Sequence, residues 1–370
     1  MNSFSSFTRR RFITQLSVAA AALTLSRKLS GADATAGSRK LGVALVGLGN
    51  YATRQLAPAL RQTQFCQLAG AVTGSREKGE ALAREYGFSE KSVYGYDAMA
   101  QMADNPEIDI VYVVTPNSMH AENVIAAARA GKHVISEKPF TTTVADAERA
   151  LAACRDAKVK LSIGYRLHFD PYHQELIRLG RDREFGGFTK GAAKFSFKMG
   201  NKVWRAEKSL AGGGPVMDLG VYLIQGACMA SGGIAPIAVT AKEGPITRPD
   251  IFTDVEETMD FNLEFPNGLS FDSSTSYQQS FNEIRAESPK GFIEIKPAFG
   301  YTGQAGRTPR GPMTFSLPVK QQALQMDDFA QCINEHRESR VSGEMGLRDM
   351  KIIEAIYESA RTGKRVAISA

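Results

Sequence analysis

The 370-residue chain has little cysteine, a single tryptophan and five histidines. Its four cysteines, Cys66, Cys154, Cys228 and Cys332, stand far apart, with no Cys-x-x-Cys pair and no histidine cluster beside them. That spacing gives no zinc site and no disulfide framework, and predicts four buried free thiols; no metal is expected. Charge of one sign is also scarce. The formal net charge is +6, but Arg9, Arg10, Arg11, Arg27 and Lys28, against Asp33 alone, fall in the first 34 residues. The remainder is close to neutral, which argues against a nucleic-acid partner. No apolar run is long enough to span a bilayer. Ile13 to Leu25 comes nearest, but Thr14, Gln15 and Ser17 interrupt it and it is shorter than the ~20 residues required. With 43% apolar and 23% charged residues, the chain has the composition of a globular protein long enough for two packed domains.

The N-terminus reads as an address. Thr8-Arg9-Arg10-Arg11-Phe12-Ile13, the apolar run after it and the small-x-small triplet Ala32-Asp33-Ala34 form a twin-arginine signal over residues 1–34, with removal near Thr35. The expected destination is the periplasm, with no membrane contact once the signal is gone. Export of an already folded chain suits a protein that acquires its cofactor in the cytoplasm.

Residues 35–164 alternate short apolar runs with amphipathic stretches. Leu41 to Val46, Gln67 to Thr73, Ile108 to Thr115, His133 to Ser136 and Val159 to Ile163 read as strands, and Arg76 to Tyr86, His120 to Ala130 and Val144 to Ala157 as helices. This predicts an α/β Rossmann domain with a parallel sheet. The first strand runs into Gly47-Leu48-Gly49-Asn50-Tyr51-Ala52, the Gly-x-Gly-x-x-Ala turn of a dinucleotide site. Gly47 permits the tight turn, Gly49 the approach of a pyrophosphate, and Ala52 close helix packing. The second strand ends without the acid that binds the ribose 2′-hydroxyl in NAD enzymes. Thr73, Ser75, Arg76 and Lys78 instead offer hydrogen bonds and positive charge to a 2′-phosphate, so NADP is the expected cofactor; the alternative is that Arg76 and Lys78, beside Glu77, merely open a solvated helix.

Two further segments carry a resemblance. Thr115-Pro116-Asn117-Ser118-Met119-His120-Ala121-Glu122 follows one strand, and Ser136-Glu137-Lys138-Pro139 ends the next. Tyr165-Arg166, Trp204-Arg205 and Gly212-Gly213-Gly214-Pro215-Val216-Met217-Asp218-Leu219-Gly220-Val221-Tyr222 follow. Together these motifs resemble the glucose-fructose oxidoreductase and inositol dehydrogenase family, over nearly all of residues 40–366, and within it the exported glucose-fructose oxidoreductases. The resemblance implies that Gly47, Gly49, Asn50, Tyr51, Thr115, Asn117, His120, Glu137, Lys138 and Arg166 line the cofactor, and that Lys138, Asp218 and Tyr222 are catalytic. Many family members carry histidine where Tyr222 stands; the tyrosine matches the glucose-fructose type.

The chemistry of these residues agrees. Lys138 follows a parallel strand at its carboxyl end, where open sheets bind ligands, and Pro139 favours an extended backbone before it. Asp218 and Tyr222 are four apart, so on a helix they share a face. A tyrosine of ordinary pKa ~10 serves as a base only beside a cation, and Lys138 is the candidate. Tyr165, His168, Trp204 and Arg205 are candidate sugar contacts, with an interface tryptophan as the alternative for Trp204. His120 is also explained by capping or packing, and His133 reads as a core residue.

Residues 165–370 change pattern. Thr189 to Met199, Ile237 to Glu243, Glu256 to Phe265, Gly268 to Tyr277, Phe281 to Glu287 and Phe292 to Ile295 predict a large, mostly antiparallel open sheet in an α+β domain, with Asn267-Gly268 as a hairpin turn. Helices near Gln322 to His336 and Gly346 to Thr362 are expected to pack back on the first domain. An open sheet lacking a second layer exposes a large face, so a homodimer through that sheet is expected. The resulting expectation is a periplasmic NADP-dependent oxidoreductase that oxidises an aldose at C1 to its lactone and reduces a second sugar with the same cofactor. The rivals are a simple NADP-dependent sugar dehydrogenase, a redox-assisted NAD-dependent glycoside hydrolase and a non-catalytic sugar-binding protein.

Overall fold

The computed structural model describes residues 39–369, so the expected signal and its cleavage site lie outside the described residues. The first sheet has six parallel strands: β1 (Leu41–Val46), β2 (Cys66–Val72), β3 (Val93–Tyr94), β4 (Ile110–Val113), β5 (His133–Ser136) and β6 (Leu161–Ile163). Their spatial order is β3-β2-β1-β4-β5-β6. The chain reverses direction of travel between β3 and β4, so the crevice at the carboxyl ends of β1 and β4 is the ligand-binding switch point of an open α/β sheet. The Gly47 turn opens there. Helices α1 (Arg76–Tyr86), α2 (His120–Arg129) and α3 (Val144–Asp156) cover the sheet, which is why its strands are apolar almost throughout rather than alternating. Local chemistry sets their ends: the Ser75 hydroxyl accepts from Lys78 N at the start of α1, and Gly87, at φ +79°, stops it.

The second sheet has nine strands. After α4 (Pro171–Asp182) come β7 (Lys190–Ser196), α5 (Val221–Ala230), β8 (Ala238–Glu243), β9 (Thr258–Glu264), β10 (Ser270–Ser276), β11 (Phe281–Ser288), β12 (Gly291–Ile295), β13 (Gly306–Thr308) and β14 (Gly311–Met313). The chain closes with α6 (Gln321–Asn334), α7 (Gly343–Thr362) and β15 (Val366–Ala367). The order is β14-β13-β12-β11-β7-β10-β9-β8-β15, and only the β7–β10 pair is parallel. Gly268, at φ +86°, makes the predicted β9–β10 turn. Helix α4, which the hydrophobic patterns did not single out, starts from an Asp170 cap and Pro171.

Ala323, Met326, Phe329 and Ala330 of α6 share a core with Val43, Leu45, Ile110 and Tyr112 of the first sheet. Helix α7 packs between α3 and β8. The expectation of an uncovered sheet needs correction. Helices α5 and α7 form a second layer on one face, and the outer face carries Lys194, Lys242, Asp260, Asn262 and Asp272, so it is polar rather than apolar. Helix α5 is apolar nearly all round, as a buried helix must be. Every one of its residues is buried except Tyr222.

Candidate active site

That exception faces a cavity of about 620 Å³ between the two sheets, lined among others by Tyr51, Glu137, Lys138, Arg166, Arg205, Asp218, Tyr222 and Tyr301. Lys138 leaves the end of β5 through a cis peptide to Pro139. Its ammonium donates to the main-chain oxygen of Asp218 (2.7 Å) and to Asp218 Oδ1 (3.2 Å), and lies 4.9 Å from the centre of the Tyr222 ring. Burial opposes the lysine's charge, but Tyr222, Asp218 and Glu137 outweigh it and hold the pKa above its ordinary value. Burial likewise opposes charge on Asp218, and Lys138 and Arg205 reverse it, holding the carboxyl below its usual range. Both groups are therefore ions at neutral pH. Lys138 thus sets a cation beside the Tyr222 ring.

Three groups surround the Asp218 carboxylate. Besides Lys138, Arg205 Nε lies 3.2 Å from Oδ2 and the Tyr277 hydroxyl donates to Oδ2 at 3.1 Å. The segment bearing Asp218 is held from below by Glu256, which accepts from Gly214 N (2.8 Å), Val216 N (3.0 Å) and the Tyr357 hydroxyl (2.9 Å). A Cβ on Gly214 would sit 2.2 Å from the Glu256 main-chain oxygen, so the glycine run is needed for this close approach. Glu137 accepts from the Tyr112 hydroxyl (2.8 Å), and burial pushes its pKa up. Its seat depends on Gly164, where a Cβ would come within 2.6 Å of Oε1.

The nucleotide end fits a dinucleotide. Gly47 has φ +93° and leaves 3.0 Å between an added Cβ and Val114 O, whereas nothing lies within 4 Å of the position a Cβ on Gly49 would take. That open space above the turn admits a pyrophosphate, with exposed Asn50 beside it. A second cavity of about 450 Å³ lies at the ends of β2 and β3, lined by Thr73, Gly74, Arg76, Tyr96 and Asp97. Of the four residues expected around a 2′-phosphate, Thr73 and Arg76 are on its wall. Ser75 caps α1, exposed Lys78 is not part of the lining, and Arg76 also pairs with Glu80 at 2.8 Å.

Several expected contacts lie elsewhere. His120 is buried, with Nδ1 2.9 Å from Pro139 O and Nε2 3.0 Å from Thr115 O, so it straps two loops together instead of lining the cavity. Thr115 accepts from Asn123, and Asn117 donates to Ala211 O, tying the switch-point loop to the second half. Tyr165 and His168 point away from the cavity into a buried cluster. His168 meets Gln225 Oε1 at 2.7 Å, Gln225 donates to Asp349, and Arg348 pairs with Asp349. Burial holds the His168 pKa down to about 4, so the ring is neutral. Trp204 does not line the cavity either; it stacks under Arg205, whose guanidinium carbon is 4.4 Å from a Trp204 ring centre. Arg166 does reach the cavity. The sequence did not single out Tyr277, Glu256, Phe195, Phe299 or Tyr301, because each reads as an ordinary core or loop residue. All four cysteines are buried and free, and among the described residues no three His, Cys, Asp or Glu side chains cluster to hold a metal.

Comparison with known proteins accords with this geometry. Residues 41–165 match the oxidoreductase family with an NAD-binding Rossmann fold, and residues 173–293 match the GFO/IDH/MocA C-terminal domain. The crystal structure of aldose-aldose oxidoreductase from Caulobacter crescentus, complexed with glycerol, superposes with a TM-score of 0.86 at 41% identity, over 89% of this chain and 100% of that one. The D-xylose 1-dehydrogenase (NADP(+)) of Haloarcula marismortui is 27% identical over 91% of this chain and 95% of its own. D-glucoside 3-dehydrogenase of Escherichia coli is 26% identical over 90% and 98%. The two halves and the site between them thus assign the chain to one family: it belongs to the GFO/IDH/MocA oxidoreductases.

Proposed function

We propose that this enzyme is an exported NADP-dependent sugar oxidoreductase that oxidises an aldose at C1 to its lactone and reduces a second sugar with the same bound cofactor. The observation that carries this reading is the seating of Tyr222 beside the Lys138–Asp218 ion pair, at the carboxyl end of a dinucleotide-binding sheet. NADP held at the Gly47–Gly49 turn and the Thr73–Arg76 cavity would supply the hydride acceptor for one sugar and the hydride donor for the next. The chain supplies proton handling and orientation. As C1 loses its hydride, the C1 hydroxyl gives its proton to the Tyr222 oxygen and the C1–O bond becomes the lactone carbonyl. In the return half-reaction Tyr222 gives that proton to the carbonyl oxygen of the second sugar, which becomes a hydroxyl. Lys138 stabilises the phenolate from which the first half-reaction starts and to which the second returns; between the two, Tyr222 carries the proton. Asp218 accepts from sugar hydroxyls, and Arg205, aligned by Trp204, donates to them.

NADP rather than NAD is supported by the absence of an acid at the end of β2, by Thr73 and Arg76 on the cavity wall, and by the NADP(+) in the names of two haloarchaeal D-xylose 1-dehydrogenases. Periplasmic location rests on the twin-arginine signal. It also motivates the second sugar, because a cofactor bound outside the cytoplasm has no soluble pool to regenerate it. A homodimer through the outer face of the nine-stranded sheet is part of the proposal; Lys194 and Lys242 beside Asp260 and Asp272 give that face charges of both signs, which can pair across a two-fold axis.

The test is purification from the periplasm, mass spectrometry of any copurifying nucleotide, and addition of single sugars and then pairs. Bound NADP, reduced by one aldose and reoxidised by a second sugar, is the expected result. Protein that carries no nicotinamide and binds neither NADP nor NAD overturns the proposal. Cleavage of an aryl glycoside without net redox change replaces it with the hydrolase.

A further inference from the structure

A single pair of rings joins the glycine turn of the first sheet to the sugar side of the cavity. Tyr51 belongs to that turn, and Tyr301 to the loop between β12 and β13. Their centroids are 5.9 Å apart at an interplanar angle of 29°, and both line the cavity. Tyr301 is 42% exposed, which is too open for a core aromatic. Its loop is nevertheless held firmly. The Arg166 guanidinium lies 4.6 Å from the Tyr301 ring and donates to Phe299 O (2.6 Å), Gly300 O (2.8 Å) and Gln321 Oε1 (2.6 Å); Gln321 in turn donates to Asp170 at 3.0 Å. Arg166 is 2% exposed, has no ion-pair partner among the described residues, and its Nε is buried without a hydrogen-bond partner. A buried cation with an unfilled N–H is costly unless a polar ligand completes it. The anchored loop and the stacked pair meet on the wall of the cavity, where Tyr51 brings in the glycine turn of the first sheet and Arg166 lies beside both rings.

We propose that Tyr51 and Tyr301, with Arg166 beneath them, form an aromatic clasp that retains the cofactor between the two half-reactions. The clasp rests on the functional reading above. It closes within one chain, by ring stacking that must open for the nucleotide to leave, and each ring comes from a different half of the molecule. Tyr301 is a positioning residue. Loss of its ring should speed nucleotide release without touching the Lys138–Asp218 pair.

The experiment follows release of NADP from the purified holoenzyme, trapped by an excess of unlabelled NADP, in the parent, Tyr301→Ala and Tyr301→Phe. About tenfold faster release from Tyr301→Ala is expected, since a stacked aromatic pair is worth about a factor of ten at the upper end of its range. Tyr301→Phe, which keeps the ring, should release at the parental rate, and the KM for added NADP should rise only in the alanine variant. Release from Tyr301→Ala at the parental rate overturns the clasp and leaves the proposed function standing. A fall in kcat at saturating NADP with release unchanged also overturns it, because the ring then serves the sugar. A parent that binds no nicotinamide sinks the functional reading first.

Discussion

The Lys138 ammonium and Asp218 meet twice, at the aspartate's main-chain oxygen and at its carboxylate, with side chains only 13% and 15% exposed. The pair therefore links the two halves of the molecule as well as lying beside Tyr222. Asp218, whose pKa is lowered, contributes stability that is present above the ordinary carboxylate value and lost as pH falls through its folded value. Lys138, whose pKa is raised, contributes stability that is present below the ordinary lysine value and lost as pH rises through its higher folded value. The pair thus stabilises the fold over the whole span between about 3.9 and about 10.4. Lys138→Met should lower stability at neutral pH by about 3 kcal/mol, the low end for a broken buried pair because Arg205 and Tyr277 still attend the carboxylate. Urea unfolding measures this, and a cost within error of zero would refute the linkage.

Tyr222→Phe keeps the edge-to-face contact with Phe195, at 5.4 Å and 87°, and removes only the hydroxyl. We expect kcat to fall about 10²- to 10⁴-fold, the range for loss of a general acid–base group, with NADP affinity retained. Stopped-flow reduction of bound NADP by an aldose isolates that step. An unchanged rate would remove Tyr222 from proton transfer.

Arg76 lines the cavity at the ends of β2 and β3, and Lys78 does not. Arg76→Ala should weaken NADP about tenfold, the lower range for a charge-assisted contact because Glu80 already holds part of the guanidinium, and leave NAD almost unaffected. Lys78→Ala should change neither. Titration calorimetry with both nucleotides decides, and equal losses for NAD and NADP would give Arg76 a structural role.

Glu137 has its pKa raised by burial, so its contribution runs the other way from that of Asp218. Stability is full below the ordinary glutamate value and declines as pH rises through the folded value. In Glu137→Gln that decline should vanish from a plot of Tm against pH, while cofactor binding weakens. A variant whose curve parallels the parent's would show that Glu137 titrates as in the unfolded chain.

Five of the six strands of the first sheet and the glycine turn were legible because their signals are local; the two-residue β3 is too short to leave a pattern. Alternating apolar runs and helical periods identify β-α units, and the need for φ +93° at Gly47 is a property of one residue. Lys138, Asp218 and Tyr222 were legible for a related reason: one follows a strand end, and the other two stand one helical turn apart. Their neighbours were not. In the Tyr165–His168 turn the sequence offers three polar side chains, yet successive residues of a tight helical turn point in different directions. Arg166 therefore enters the cavity while Tyr165 and His168 turn towards Gln225.

By itself, the sequence determined the longer strands and helices of the first domain, the dinucleotide turn and the three residues Lys138, Asp218 and Tyr222, since each depends on contacts within a few residues. Only the tertiary structure decided that Tyr277 and Arg205 share the Asp218 carboxylate with Lys138, that Glu256 braces the glycine run, and that Tyr301 meets Tyr51 from 250 positions away along the chain. Such contacts arise from which strands pair and which helix faces pack, so pattern in one segment carries no record of the partner that another segment will bring.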